Sequence, residues 1–282
     1  MKYIPLRESK KEELEAWLNK SNEILAEMKL ETNPKKRRAI IHRNKSHWRN
    51  DDLLNYLKKL SDGKCWYTEA RFVAEYPQLE HFRPKSCARD EDWKKCHDGY
   101  WWLAFDIENY RVSKPMPNVK KGTYFPLREP AMAVCDPDVA ITRESPLFLD
   151  PVNQGDAELI SFNALGQPEP CPEPAVDLCE WDKRRIEFSI KRYGLDNTEL
   201  CDRRKELWVA IESMISEYAT NAKRATHNDC KISKGKAEQL IIQLKKYLEP
   251  SQEFTSLISA CFLSNKVGKA LYPKLLTQLL AA

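Results

Sequence analysis

Residues 79–87 read LEHFRPKSC. Within five positions they set a carboxylate (Glu80), an imidazole (His81) and a guanidinium (Arg83) directly behind an apolar residue, with Lys85 close after. A lone histidine in a folded protein is most often structural. A Glu-His pair at a strand end can also hold a metal ion and activate a water. The remainder of the chain has to decide between the two.

The chain has 282 residues, enough for one large domain or two small ones. Hydrophobic residues make up 42%, which supports a real core, and charged residues 31%, which implies a heavily charged surface. A formal charge of +4 permits a polyanionic partner without requiring one. Nine cysteines are scattered with no C-x-x-C pair, which argues against a disulfide scaffold and gives no zinc knuckle. The start lacks the apolar run of a signal peptide, and no apolar stretch is long enough to span a membrane. The expectation is a cytoplasmic protein with no membrane partner.

Three zones follow from hydrophobic patterning. Residues 1–62 read as a helical segment: Leu14, Trp17, Leu18, Ile24, Leu25 and Met28 recur at helical spacing, and Pro34 breaks the stripe. A short helix from Asp51 to Leu60 has Asn50 or Asp51 as its N-cap, and SDGK at 61–64 is a turn. Residues 63–175 change character, with crowded aromatics and frequent prolines. Short strands are expected near 65–68, 79–82 and 109–113, and a hairpin at 158–167 turning at Gly166. Residues 176–282 are helical again, with stripes through Leu200–Ala222, Ala237–Leu248, Phe254–Cys261 and Leu271–Leu280. The fold class is α+β.

Beyond EHFRPKS lies YWWLAFDIENYRVSKPMPNVKKGTYFPL. His81 precedes Asn109 by 28 residues, and Asn118 follows 9 later. That order and spacing match a ββα-metal (HNH) nuclease core, embedded here in a mostly helical chain. Cleaving a phosphodiester needs an activated water and positive charge on the transition state and leaving oxygen. His81, mostly neutral at cellular pH, suits the general base. Glu80 and Asn118 offer hard oxygens for Mg²⁺ or Mn²⁺. Asn109 would hold the His-bearing segment by bonding backbone. Arg83, Lys85 and Lys121 would contact nucleic-acid phosphate. His42, His47, His97 and His227 are weaker candidates.

At these residues the sequence resembles the PtuB family, the HNH nuclease subunits of Septu antiphage systems, found also with retron operons. The resemblance is strongest from Cys65 to Asn153. It rests on CWYTE, EHFRPKS, DIEN, SKPMPNVKKGTYFPL and FLDP. It implies a catalytic role for His81, with Glu80, Asn109 and Asn118 as its partners. It also implies an ATPase partner of the ABC/SMC-like (PtuA-like) kind, since this chain has no phosphate-binding G-x-x-x-x-G-K-[ST] loop. Asp150, the aspartate of FLDP, reads as a structural turn residue.

One departure stands out. Four family cysteines that would hold a zinc ion fall on Cys65, Thr68, Lys114 and Pro117. Proline cannot ligate zinc, and tetrahedral zinc wants four N or S ligands. No structural zinc is therefore expected. The rings of Trp66, Tyr67, Trp101 and Trp102 are expected to cluster in its stead, with Pro115 and Pro117 stiffening the link.

The run NPKKRRAIIHRNKSHWRN at 33–50 is either a solvated helix face or a phosphate-binding strip. Two rival readings remain beside a DNA-cutting enzyme. One is the same site cutting RNA or tRNA; the other is a silent nucleic-acid-binding or scaffold subunit.

Overall fold

The computed structural model describes residues 1–172, 178–228 and 230–280. Four helices come first: α1 (Glu15–Leu30), α2 (Pro34–Arg43), α3 (Lys45–Trp48) and α4 (Asp51–Lys59). Strands β1 (Gln78–His81), β2 (Ala88–Arg89), β3 (Lys95–His97) and β4 (Tyr110–Ser113) follow, and β4 leads directly into α5 (Pro115–Lys121). Then come α6 (Gln154–Glu158), β5 (Ile160–Phe162), β6 (Pro168–Pro170) and α7 (Glu180–Tyr193). The chain closes with α8 (Thr198–Asn228), α9 (Lys231–Tyr247), α10 (Thr255–Leu263) and α11 (Lys266–Leu280). The fold is α+β and mostly helical. Among the described residues no helix is long and apolar enough to cross a membrane.

Local chemistry sets the boundaries. Asn33 caps α2 by accepting from the Lys35 and Lys36 amides, and Pro34 takes the first helical position, where no N–H is needed. Asn50 caps α4 through the Leu53 amide at 3.1 Å. The strand expected near 65–68 is a turn instead. Cys65 bonds Ala70 and Glu69 through its own backbone, and Glu69 sits at φ 60. Backbone groups spent inside a loop cannot also form a ladder, so only the Trp66 amide reaches β4, at the Val112 carbonyl.

Two compact units divide the chain. One holds residues 3–157 together with α7. The other holds the first two residues, β5–β6 and α8–α11. The expected boundary between 175 and 176 lies outside the described residues.

In the first unit, β1 pairs antiparallel with β4, Glu80 opposite Arg111 and His81 opposite Tyr110. α5 packs back on β1, completing a ββα unit whose two strands are joined by a long connection rather than a tight turn. That connection carries the β2–β3 hairpin, pinned by Asp90, whose side chain accepts from the Asp92 and Lys94 amides. Leu14, which caps α1, Trp17 within it, and Leu53 and Leu57 of α4 share one core with Trp66, Tyr110 and Val112. Residues on both sides of position 62 thus fill a single interior. A second cluster joins Ile24, Met28, Ile40 and Ile41 to Ala104 and Phe105. These contacts fix the connection just where it passes the histidine.

The rings expected to replace a zinc staple do not gather. Trp66 lies in the helix-facing core, Tyr67 stacks on Tyr193 at 3.9 Å, and Trp101 packs against Trp102 and beneath Arg37. At the four positions themselves, the Lys114 amide donates to Cys65 Sγ at 3.4 Å and Lys114 Nζ pairs with Glu75 at 2.8 Å. Thr68 Oγ1 accepts from the Ala70 amide, and Pro117 is buried in α5. Direct bonds and helix packing hold β4 and α5 to the turn.

In the second unit, β5 and β6 form the hairpin expected at 158–167, with Gly166 at φ 72 in its turn. A Cβ on Gly166 would meet the Cys201 carbonyl at 2.1 Å, so both the turn and the close approach demand glycine. α8 lies along α9, and α10 packs on α8 and α11. Ile211, Ile215, Leu240, Leu244, Leu257 and Ile258 supply the buried positions of the stripes.

Candidate active site

Alternation along β1 sends Leu79 and His81 to one face, Gln78 and Glu80 to the other. A cavity of about 580 Å³ reaches both faces. Trp48, Arg49, Gln78, Glu80, His81, Lys85 and Asn118 are among its walls.

His81 is fixed from three sides. Its Nε2 lies 3.0 Å from the Ala104 carbonyl. A carbonyl oxygen only accepts, so this partner assigns the proton to Nε2 and leaves the lone pair on Nδ1. The Tyr110 hydroxyl donates to the same carbonyl at 2.8 Å, and its ring meets the imidazole edge-on at 5.0 Å. The Trp48 ring closes the other side at 5.3 Å. Nδ1 faces Lys85 Nζ at 3.4 Å. Burial, and next the Lys85 ammonium, hold the imidazole well below its usual value, so it is a neutral base.

Asn109 ties this arrangement together. Its Oδ1 accepts from the Arg83 amide at 2.8 Å, and its Nδ2 donates to the Arg83 and Leu103 carbonyls at 3.0 and 3.1 Å. Its own carbonyl accepts from the Phe82 amide. One buried amide therefore joins the two residues after His81 to the segment that presents Ala104.

Glu80 lies at the cavity wall among partners. Lys121 Nζ contacts Oε1 at 2.5 Å, and the Tyr67 hydroxyl donates to Oε2. Lys121 also donates to the His81 carbonyl at 3.2 Å. It is 0% exposed. The phosphate contact expected of Lys121 is therefore corrected: no phosphate can reach a lysine buried against Glu80. Burial lowers its proton affinity and Glu80 partly restores it. Arg83 does not line this cavity. Its Nε pairs at 2.9 Å with Glu144, whose side chain is 0% exposed and also takes the Tyr100 hydroxyl and the Val134 amide. A guanidinium held so is part of the scaffold.

Lys85 is the expected phosphate ligand that does face the cavity. Its ammonium lies 5.0 Å from the Trp48 ring centre. Burial pushes it down to about 8, Glu80 opposes that, and Lys121 and Arg49 add to it. Arg49, which the sequence reading left in the basic run, shares the wall. Asn118 sits one turn into α5, and its Nδ2 donates to Gln78 Oε1 at 2.5 Å, leaving Oδ1 as the amide's acceptor.

Among the described residues no three His, Cys, Asp or Glu side chains gather as a metal site, so a hard divalent cation would rest on few protein oxygens. Glu80 and Asn118 bring one carboxylate and one amide oxygen to a common cavity, and Mg²⁺ typically takes few protein oxygens and keeps several waters. Lys121 competes for Glu80, so a cation would have to share that carboxylate.

Two of the other histidines, His47 and His97, have structural partners, while His42 and His227 are exposed and outside this cavity's lining. His47 stacks on Trp17 at 4.7 Å, and its Nε2 bonds Ser21 and the Trp17 carbonyl. His97 Nδ1 accepts from the Gly99 amide. Asp150 accepts from the Val152 amide and from both arms of Arg111, at 2.7 and 2.6 Å. Sequence reasoning missed Tyr67, Gln78 and the Ala104 carbonyl. A main-chain acceptor leaves no trace in residue type.

No protein-family profile matches the chain. It is similar to the Septu protein PtuB of Bacillus mycoides (strain KBAB4), with 30% identity over 168 residues. The match takes in 58% of this chain and 54% of that protein, so the chain spans about half the length of this relative. Over the matched region the chain is PtuB-like.

Proposed function

We propose that this chain is an HNH-type endonuclease that hydrolyses phosphodiester bonds of nucleic acid, DNA foremost, as a cytoplasmic effector of antiphage defence controlled by a PtuA-like ATPase. The observation that carries the reading is His81: a neutral imidazole with its proton held at Nε2 and its lone pair at a cavity that Lys85 and Arg49 make electropositive. The ββα arrangement of β1, β4 and α5 and the resemblance to PtuB support it.

In this mechanism Lys85 and Arg49 seat the scissile phosphate. With phosphate drawing Lys85 away, His81 Nδ1 takes a proton from water. The hydroxide forms a new P–O bond, the bond to the leaving oxygen breaks, and that oxygen is protonated by solvent. Asn109 keeps the imidazole in place through the Arg83 backbone. Glu80 and Asn118 would hold Mg²⁺ or Mn²⁺, which would supply positive charge beside the phosphate and leaving oxygen. No structural zinc is needed where Lys114 and Cys65 bond directly; metal analysis finding one zinc per purified chain would overturn that part.

The test is cleavage of DNA and RNA by the purified chain with Mg²⁺ or Mn²⁺, alone and with a PtuA-like ATPase. His81→Ala should lower cleavage by roughly 10²- to 10⁴-fold, the span of general-base contributions. An active His81→Ala chain would exclude His81 as the base. No cleavage by the folded complex would favour the scaffold reading.

A further inference from the structure

The run at 33–50 now has a place. It forms the N-cap of α2, α2 itself, α3 and the step into α4, with seven Lys and Arg and no Asp or Glu. A solvated helix face normally mixes signs, as α1 does with Glu15, Lys20, Glu23, Glu27 and Lys29. Here Lys35, Lys36, Lys45 and Arg49 are exposed and have no anionic partner among the described residues. The nearby acids are already taken: Asp98 by Arg38 and Lys95 at 2.9 and 2.6 Å, and Glu27 by Arg43.

A second cavity, of about 260 Å³, lies against α2. Arg37, Arg38, His97 and Trp101 line it, and so does Lys85, which also lines the cavity at His81. Lys85 is therefore a wall common to both. The Arg37 guanidinium lies 3.9 Å over the Trp101 ring, which fixes that side chain as part of the cavity wall. Arg49 stands at the His81 end, and Lys35 and Lys36 open α2 beside Arg37 and Arg38.

We infer that α2 and α3 form a track for the phosphate backbone of a polynucleotide, continuous across Lys85 with the cavity at His81. The inference rests on the nuclease reading and names where the substrate lies outside the reacting phosphate. Lys35, Lys36, Lys45 and Arg49, exposed and without a carboxylate partner among the described residues, complement a polyanion, and a phosphate backbone is the feature that all polynucleotides share. The contact is thus independent of sequence, and it belongs to substrate binding rather than to the chemical step.

The experiment measures binding of labelled DNA and RNA oligonucleotides to the full chain by fluorescence anisotropy over a range of salt. His81→Ala is the background, so that nothing is cleaved. Adding Lys35→Gln, Lys36→Gln and Lys45→Gln should weaken binding and flatten the slope of log K against log salt by roughly 2 to 3, at about 0.7–0.9 per lost phosphate contact. Lys231→Gln, Lys234→Gln and Lys236→Gln on α9 remove the same charge from exposed positions and should leave the slope unchanged. A slope unchanged by the α2–α3 substitutions, or lowered equally by the α9 set, overturns the track and leaves the nuclease reading standing. A parent that binds neither polynucleotide overturns both. The DNA and RNA arms tell which backbone the track prefers.

Discussion

Glu80 and Arg111 face each other across β1 and β4, yet each is neutralised by a different residue. Arg111 grips Asp150 with two arms at 2.7 and 2.6 Å and spends Nη1 on the Glu108 and Tyr110 carbonyls. Burial pushes Asp150 up, but Arg111 holds its carboxyl below the usual carboxylate range. Glu80 has a single lysine contact and a tyrosine hydroxyl, and it stands at a cavity wall. The first pair is closed, with its donors spent on fixed partners. The second is monodentate and made by a flexible side chain, although it is no more exposed than the first. One rung of a two-stranded ladder thus separates a scaffold pair from a pair that could yield its carboxylate to a cation.

Breaking the closed pair should cost most. Arg111→Met leaves Asp150 buried without its cation, and chemical denaturation should show a loss of about 3–5 kcal/mol, typical of a split buried pair. Lys121→Met removes a single contact of Glu80 and leaves the Tyr67 hydroxyl in place. The loss should be smaller, about 1–3 kcal/mol. Equal losses would erase the distinction. Lys121→Met should at the same time tighten Mn²⁺ binding, read by electron paramagnetic resonance, because the competing ammonium is gone. Weaker Mn²⁺ binding in that variant would show that Lys121 supports the site rather than competing for it.

The pH profile sharpens the same contrast. His81 has its proton affinity lowered by burial, so it stays a free base as pH falls to about 6.5, and kcat/KM should decline only below that value. Lys85 is pushed down to about 8, so substrate capture should fall as pH rises through that value and the ammonium is lost. Lys85→Arg, which stays charged, should move the alkaline limb upward. An alkaline limb unmoved by Lys85→Arg would assign it to another group.

The helical stripes were readable because burial on a helix repeats in sequence; Trp17, Ile24 and Met28 are all inside, as are Leu53 and Leu57. Asn50 was readable as a cap because its partner is three residues away. Both strands of the β1–β4 pair were readable too; Glu80, His81, Lys85 and Asn118 share one cavity, whose walls also include Gln78 and Arg49, which the motif did not single out. The partners of Arg83 and Lys121 were not. Glu144 and Glu80 lie 61 and 41 residues away in sequence, and a buried cation looks the same as an exposed one until its counter-ion is located. β2 and β3 escaped for another reason. They are two and three residues long and largely polar, and the Asp90 turn decides them rather than any periodicity.

The stacking of Tyr67 on Tyr193 sets a condition on when the site can exist. Tyr67 donates to Glu80, and α7 must be present for its ring to be held. A ribosome that has just finished the strand of His81 is still on the order of a hundred residues, or on the order of ten seconds of synthesis, from releasing Tyr193. Before then Tyr67, which donates to that carboxylate, lacks the ring that stacks on it. The enclosure of the site is therefore completed late in translation, and a truncated product ending before α7 would carry every residue of the motif without it.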